Sequence, residues 1–81
     1  MTSAERIREH MEVTGSDGQH VGTVDCVENG EIILAKSDPE SDGRHHSIPL
    51  DWVVSVESDE VRLNKLASEA QAEWAETNAC P

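Results

Sequence analysis

His45 and His46, with Asp38 and Asp42 a few residues upstream, are the only residues in this chain grouped closely enough to suggest chemistry. Imidazoles beside carboxylates can hold a divalent metal or move a proton near neutral pH. Two adjacent residues on a strand point to opposite faces, however, so one ion cannot easily be shared by both rings. The expectation is one ring half-packed and the other solvated, with metal or small-ligand binding by His45, His46 and Asp42 as the alternative. The run Asp38-Pro39-Glu40-Ser41-Asp42-Gly43 departs from a calcium loop in spacing and lacks the closing glutamate.

Nucleophilic catalysis needs a Ser, Thr or Cys against a base that a third group orients. No motif of that kind is present, so no catalytic residue is assigned and the chain is read as a non-enzyme without cofactor. Cys26 lies mid-strand and is expected to be a buried, inert thiol; Cys80 sits in a tail expected to fray. A Cys26 to Cys80 bridge is the other option, disfavoured in a reducing compartment. Gly15, Gly18 and Gly22 imitate a phosphate loop but flank a turn with no helix after it. They are read as turn glycines, Gly22 allowing a bulge or a close backbone approach.

Seventeen acidic and six basic side chains among 81 residues leave a net charge of −11. That field opposes direct contact with nucleic-acid phosphates and anionic membrane surfaces, and suits cationic protein partners or a salt-rich medium. Residues 1–6 run into charge without an apolar leader, and no apolar run approaches the roughly 18 residues of a membrane span. The expectation is a cytoplasmic protein without membrane contact. With no Phe or Tyr and two Trp, the core must be aliphatic. Trp52 reads as a core anchor in line with Ile48, Val54 and Val56, whereas Trp74 could seal the core or present itself to a partner.

These residues need elements to position them, and the chain reads as one domain over residues 1–81. Thr2 and Glu5 match a capping box, so a short helix or turn is expected over residues 3–10, offering Ile7 and Met11 to the core. A strand over 11–14 turns at Gly15-Ser16-Asp17-Gly18 into a second strand. Asn29-Gly30 between two apolar runs is the strongest hairpin signal. A two-residue loop pairs Glu28 with Glu31, Val27 with Ile32, Cys26 with Ile33, Asp25 with Leu34 and Val24 with Ala35. Both faces of that hairpin are apolar near the turn, as in a small barrel with a helix against it.

Residues 37–44 read as an exposed loop, with a strand over 44–48 after it. Pro49 then forces a turn over 49–51. Strands follow over 52–57 and 61–63. A C-terminal helix over about 65–77, capped by Asn64, places Leu66, Ala70 and Trp74 on one stripe. Those three are the candidate interaction residues, facing their own barrel or another copy of the chain.

The segments Glu9-His10-Met11-Glu12-Val13, Asp17-Gly18-x-x-Val21-Gly22-Thr23-Val24-Asp25, Lys36-Ser37-Asp38 and Gly43-x-His45-His46-x-Ile48-Pro49-Leu50-Asp51-Trp52-Val53 resemble a small bacterial family of unknown function related to the PRC-barrel domain. The likeness spans residues 7–63, with a similar helix trailing to Trp74. It implies a mainly β fold, a small, strongly bent barrel of about six strands with a C-terminal α-helix. The wider group includes the cytoplasmic domain of a photosynthetic reaction-centre subunit and the C-terminal domain of a ribosome maturation factor, both acting through protein contacts. The resemblance supplies no catalytic residues. The reading is a protein–protein interaction module whose partner is another protein or a second copy of itself.

Overall fold

A computed structural model describes residues 7–28, 30–38, 41, 43–57 and 59–77. The described residues form seven strands: β1 (Glu12–Thr14), β2 (His20–Glu28), β3 (Glu31–Leu34), β4 (His46–Pro49), β5 (Val53–Glu57), β6 (Glu60–Leu63) and β7 (Ala75–Glu76). A 3-10 turn, Leu50–Trp52, joins β4 to β5, and an α-helix, α1 (Ala67–Glu73), precedes β7. The sheet order is β5-β6-β1-β2-β3-β4-β7. All pairings are antiparallel except β1 with β6, so the sheet is mixed.

The long β2 belongs to both halves of this sheet, and two extra residues bend it. Val21 is the surplus residue opposite β1, where Val13 faces Gly22 and Thr14 faces His20. Asp25 is the surplus residue opposite β3, where Val24 faces Leu34 and Cys26 faces Ile33. Each bulge increases local twist and folds the sheet over its aliphatic core. The expected closed barrel is not formed. The two-residue β7 takes the outer edge of β4, where closure would need β5, and the sheet keeps two edges among the described residues.

The hairpin register was correct next to the turn, where Glu28 faces Glu31, Val27 faces Ile32 and Cys26 faces Ile33. The Asp25 bulge then moves Val24 onto Leu34, one residue from its expected partner Ala35. Gly30 adopts φ +78°, as the turn requires, and Asn29 lies outside the described residues. Ile32 and Ile33 are both buried, so each face of the hairpin is covered.

The alternation expected from Ile48 to Val56 breaks at the 3-10 turn. Pro49 ends β4, and the following turn shifts the side-chain parity, so Val53 is buried and Val54 is 57% exposed. Val54 is also the extra residue of a third bulge, because Val53 faces Leu63 and Ser55 faces Arg62. Trp52 packs partly buried against the core, with the Lys65 Nζ 5.1 Å from its ring centroid.

At the N-terminal side, residues 7–10 are not helical. His10 has φ 71°, a left-handed conformation that reverses the chain, while Ile7 and Met11 reach the core as expected. The remainder of the expected 3–10 helix lies outside the described residues.

The C-terminal helix is shorter than its composition suggests, spanning Ala67–Glu73, and Leu66 rather than Asn64 is its N-cap. Its first amide groups find partners from two directions. Leu66 N–H donates to Glu69 Oε1 at 3.0 Å, and Ala67 N–H donates to Asp17 Oδ1 at 3.4 Å. Asp17 comes from the β1–β2 turn, which lies so close that Ser16 N–H reaches Lys65 O at 2.7 Å. Only glycine fits at position 15: a Cβ there would lie 2.3 Å from Ala67 N. Ala67 and Ala70 bury the inner face of α1, which lies against β2.

Candidate functional site

The most connected polar group lies on β1, β2 and the segment after β3, and its centre is His20. The β1–β2 turn brings His20 opposite Thr14, two residues along β1 from Glu12. Its Nδ1 is 2.9 Å from Glu12 Oε2. On the other side of the ring, Nε2 is 2.6 Å from Asp38 Oδ2. The Thr23 hydroxyl, one bulged turn further along β2, donates to the same Asp38 oxygen at 2.7 Å. Asp38 is held by a turn in which the Ser41 hydroxyl donates to Lys36 O at 2.6 Å and lies 2.7 Å from Asp38 O.

The two carboxylates differ in environment. The Asp38 side chain is 3% exposed and that of Glu12 is 52% exposed. Burial draws the His20 pKa downward, but the hydrogen bonds and charges of Glu12 and Asp38 outweigh it and hold the ring above its ordinary value of 6.5. A ring with a carboxylate against each nitrogen has no lone pair free to act as a general base, and its nitrogens face apart, so they do not converge on one ion. The arrangement is a clamp across three segments, closed on both sides when the ring carries two N–H groups.

Beside it, the buried Thr14 hydroxyl donates to Glu60 Oε2 at 2.5 Å, with Arg62 Nη2 3.2 Å from the same oxygen. The Thr14 hydrogen bond holds the Glu60 carboxyl below its ordinary value of 4.5; slight desolvation opposes this, and Arg62 assists.

His45 and His46 contact different groups, and neither ring is solvated, the His45 side chain being 13% exposed and His46 buried, which corrects the expected solvated ring. His45 Nδ1 donates to Leu34 O at 3.0 Å and lies 3.6 Å from Asp25 Oδ2. His46 is buried and stacks on Trp74, with ring centroids 4.1 Å apart and planes 13° from parallel. Asp38 serves His20 rather than either of these rings. Asp42 lies outside the described residues. Among the described residues no group of three or more His, Cys, Asp or Glu side chains is placed to hold a metal.

Of the stripe Leu66, Ala70 and Trp74, only Leu66 is open to solvent, at 43% exposure. Ala70 is fully buried in the core, and Trp74, at the helix C-cap, packs half-buried against it. Cys26 is half-buried and disulfide-bonded, which corrects the expected buried, inert thiol. Cys80 lies outside the described residues.

His20 was missed because it carries no motif. The turn at residues 15–18 was the available signal, since a short hairpin there sets a histidine on β2 close to Glu12 across the pair. The contact with Asp38 depends on how β3 returns along β2 and on the Asp25 bulge, neither of which spacing reveals.

No helix among the described residues is long and apolar enough to cross a membrane. No curated protein and no solved structure matches the chain. One family model does, over residues 7–71, from the start of the described chain through most of α1, thus covering the clamp and strands β1 to β6. The chain belongs to that family, described as an uncharacterized protein conserved in bacteria (DUF2171).

Proposed function

We propose that this chain is a non-enzymatic protein-interaction module that binds a cationic protein surface through the β5 edge and the start of α1. The observation that carries the reading is the placement of Val54. It is an exposed aliphatic side chain on an edge strand, and Leu66, three residues beyond the end of β6, is the other large exposed apolar residue among the described ones. Exposed Asp51, Glu57 and Asp59 border this edge in sequence, in a chain of net charge −11. Exposed apolar side chains in so acidic a chain suit a partner that offers an aliphatic patch among lysines and arginines. The bulge at Val54 breaks the regular ladder, so side-chain contact is favoured over addition of a continuous strand.

The likeness of the Asp17-Gly18 turn with Val21-Gly22-x-Val24 and of Ile48-Pro49 to the wider PRC-barrel group, whose named members act through protein contacts, supports the same reading, with the open bent sheet as a variant of that barrel. A cytoplasmic location fits the acidity but sits uneasily with a disulfide at Cys26, since reducing compartments disfavour such bonds.

Affinity capture from a bacterium that carries the chain tests the proposal, using wild type and a Val54→Ser/Leu66→Ser variant. Wild type should retain a basic protein that high salt elutes and the variant loses. Equal recovery by both proteins, or recovery of nothing but the bait, overturns the reading.

A further inference from the structure

We propose that His20 is a proton-operated latch that fastens Glu12 of β1 to β2 only while the imidazole carries two N–H groups. The geometry imposes this. Each ring nitrogen faces a carboxylate oxygen, at 2.9 Å for Glu12 and 2.6 Å for Asp38. Carboxylates only accept, so both contacts are hydrogen bonds solely in the imidazolium form. A neutral imidazole has one N–H, and its second nitrogen then turns a lone pair toward a negative oxygen.

The surroundings determine which bond is lost. Asp38 is enclosed, accepts the Thr23 hydroxyl on the same oxygen, and cannot readily exchange His20 for water. Glu12 is half exposed and can be rehydrated at little cost. The remaining proton therefore stays on Nε2, the bond to Asp38 persists, and Glu12 is set free. The titratable groups contacting the ring are Glu12 from β1 and Asp38 from the segment after β3, with Thr23 of β2 as the neutral neighbour. Glu12 is also the register neighbour of Glu60 on β6, so its release returns an unpaired carboxylate to a strand position beside another acid.

The full chain labelled with nitrogen-15 provides the test, by following the His20 ring nitrogens across pH by NMR. Three results are expected together: a midpoint above 6.5, an imidazolium signature for both nitrogens below it, and the Nε2–H tautomer above it. Glu12→Gln replaces an exposed side chain and should fold normally, yet lower the midpoint. Asp38→Asn should lower it further, and Glu12→Gln keeps the test decisive should that buried replacement fail to fold. Two outcomes overturn the latch: a wild-type midpoint that Glu12→Gln leaves unmoved, or an Nδ1–H tautomer at high pH.

Discussion

The imidazole of His46 lies flat against the indole of Trp74, with centroids 4.1 Å apart. This stack ties β4 to the chain just beyond α1, where β7 then pairs His46 with Glu76 and Ser47 with Ala75. Offset aromatic stacking adds to the burial of the indole itself. Trp74→Ala should therefore destabilise the chain by about 2 kcal/mol, less than the cost of removing a wholly enclosed Trp. Urea denaturation followed by circular dichroism measures this, and a change below about 0.5 kcal/mol would show that the stack adds nothing.

Gly15 and Gly18 share a turn but should respond differently to alanine. At Gly15 a methyl group would press on the backbone of Ala67, and neither the turn nor the helix start can yield without breaking the Ser16 to Lys65 hydrogen bond. Gly15→Ala should cost about 2 kcal/mol or more. Gly18 has open space around it and a φ of +81°, so Gly18→Ala should cost about 1 kcal/mol through backbone strain alone. Thermal unfolding of the two variants ranks them, and the reverse order would contradict the described packing of turn on helix.

Stability should be greatest on the acid side of neutrality. His20 has a raised pKa, so its contribution is complete below 6.5 and is lost as the pH climbs through the raised value. Glu60 has a lowered pKa, so its contribution is complete above 4.5 and is lost as the pH falls through the lowered value. Both are present together between 4.5 and 6.5. Melting temperatures across that range should form a maximum within it, and His20→Gln should flatten the alkaline side. A maximum above pH 7 in wild type would contradict the clamp.

The arrangement of like charges makes salt a second control. Glu28 faces Glu31 and Glu57 faces Glu60, so two β-turns carry paired acids across their strands. Raising sodium chloride from about 0.01 M to about 0.5 M shortens the screening distance several-fold and should raise the melting temperature by several degrees. An unchanged melting temperature would mean that the net charge of −11 costs the folded state nothing.

With Cys26 in a disulfide, the unfolded, unreduced protein should show no reactive thiol, and reduction should lower its melting temperature. Titration with a thiol reagent in denaturant measures the first directly. Two thiols per chain would contradict the bond.

Local chemistry made several elements legible in the sequence. Glycines and small polar residues marked the turns at 15–18 and 29–30, and the pairing beside Gly30 followed from loop length. Gly22 signalled the bulge at Val21 beside it, but the bulges at Asp25 and Val54 were not legible, because an extra residue changes neither composition nor turn spacing. The parity shift at the 3-10 turn was equally hidden: Val54, expected in the core line of Ile48 and Trp52, points to solvent. The helix was overextended for a related reason. Residues 75–77 are compatible with a helix, but the edge of β4 offers Ala75 and Glu76 a ladder, and Thr77 N–H donates to His45 O at 3.0 Å. Of the candidate site, Asp38 was noticed for the wrong histidine, and His20 was passed over.

The parallel pairing of β1 with β6 also bears on how the chain folds. Thr14 and Glu60, hydrogen-bonded across those strands, are 46 positions apart in sequence. The hairpins on either side can close quickly from local contacts, but this central pair must first bring distant segments together, which slows folding. On the ribosome, β1 must wait until β6 has emerged, and until then its β6-facing edge has no native partner.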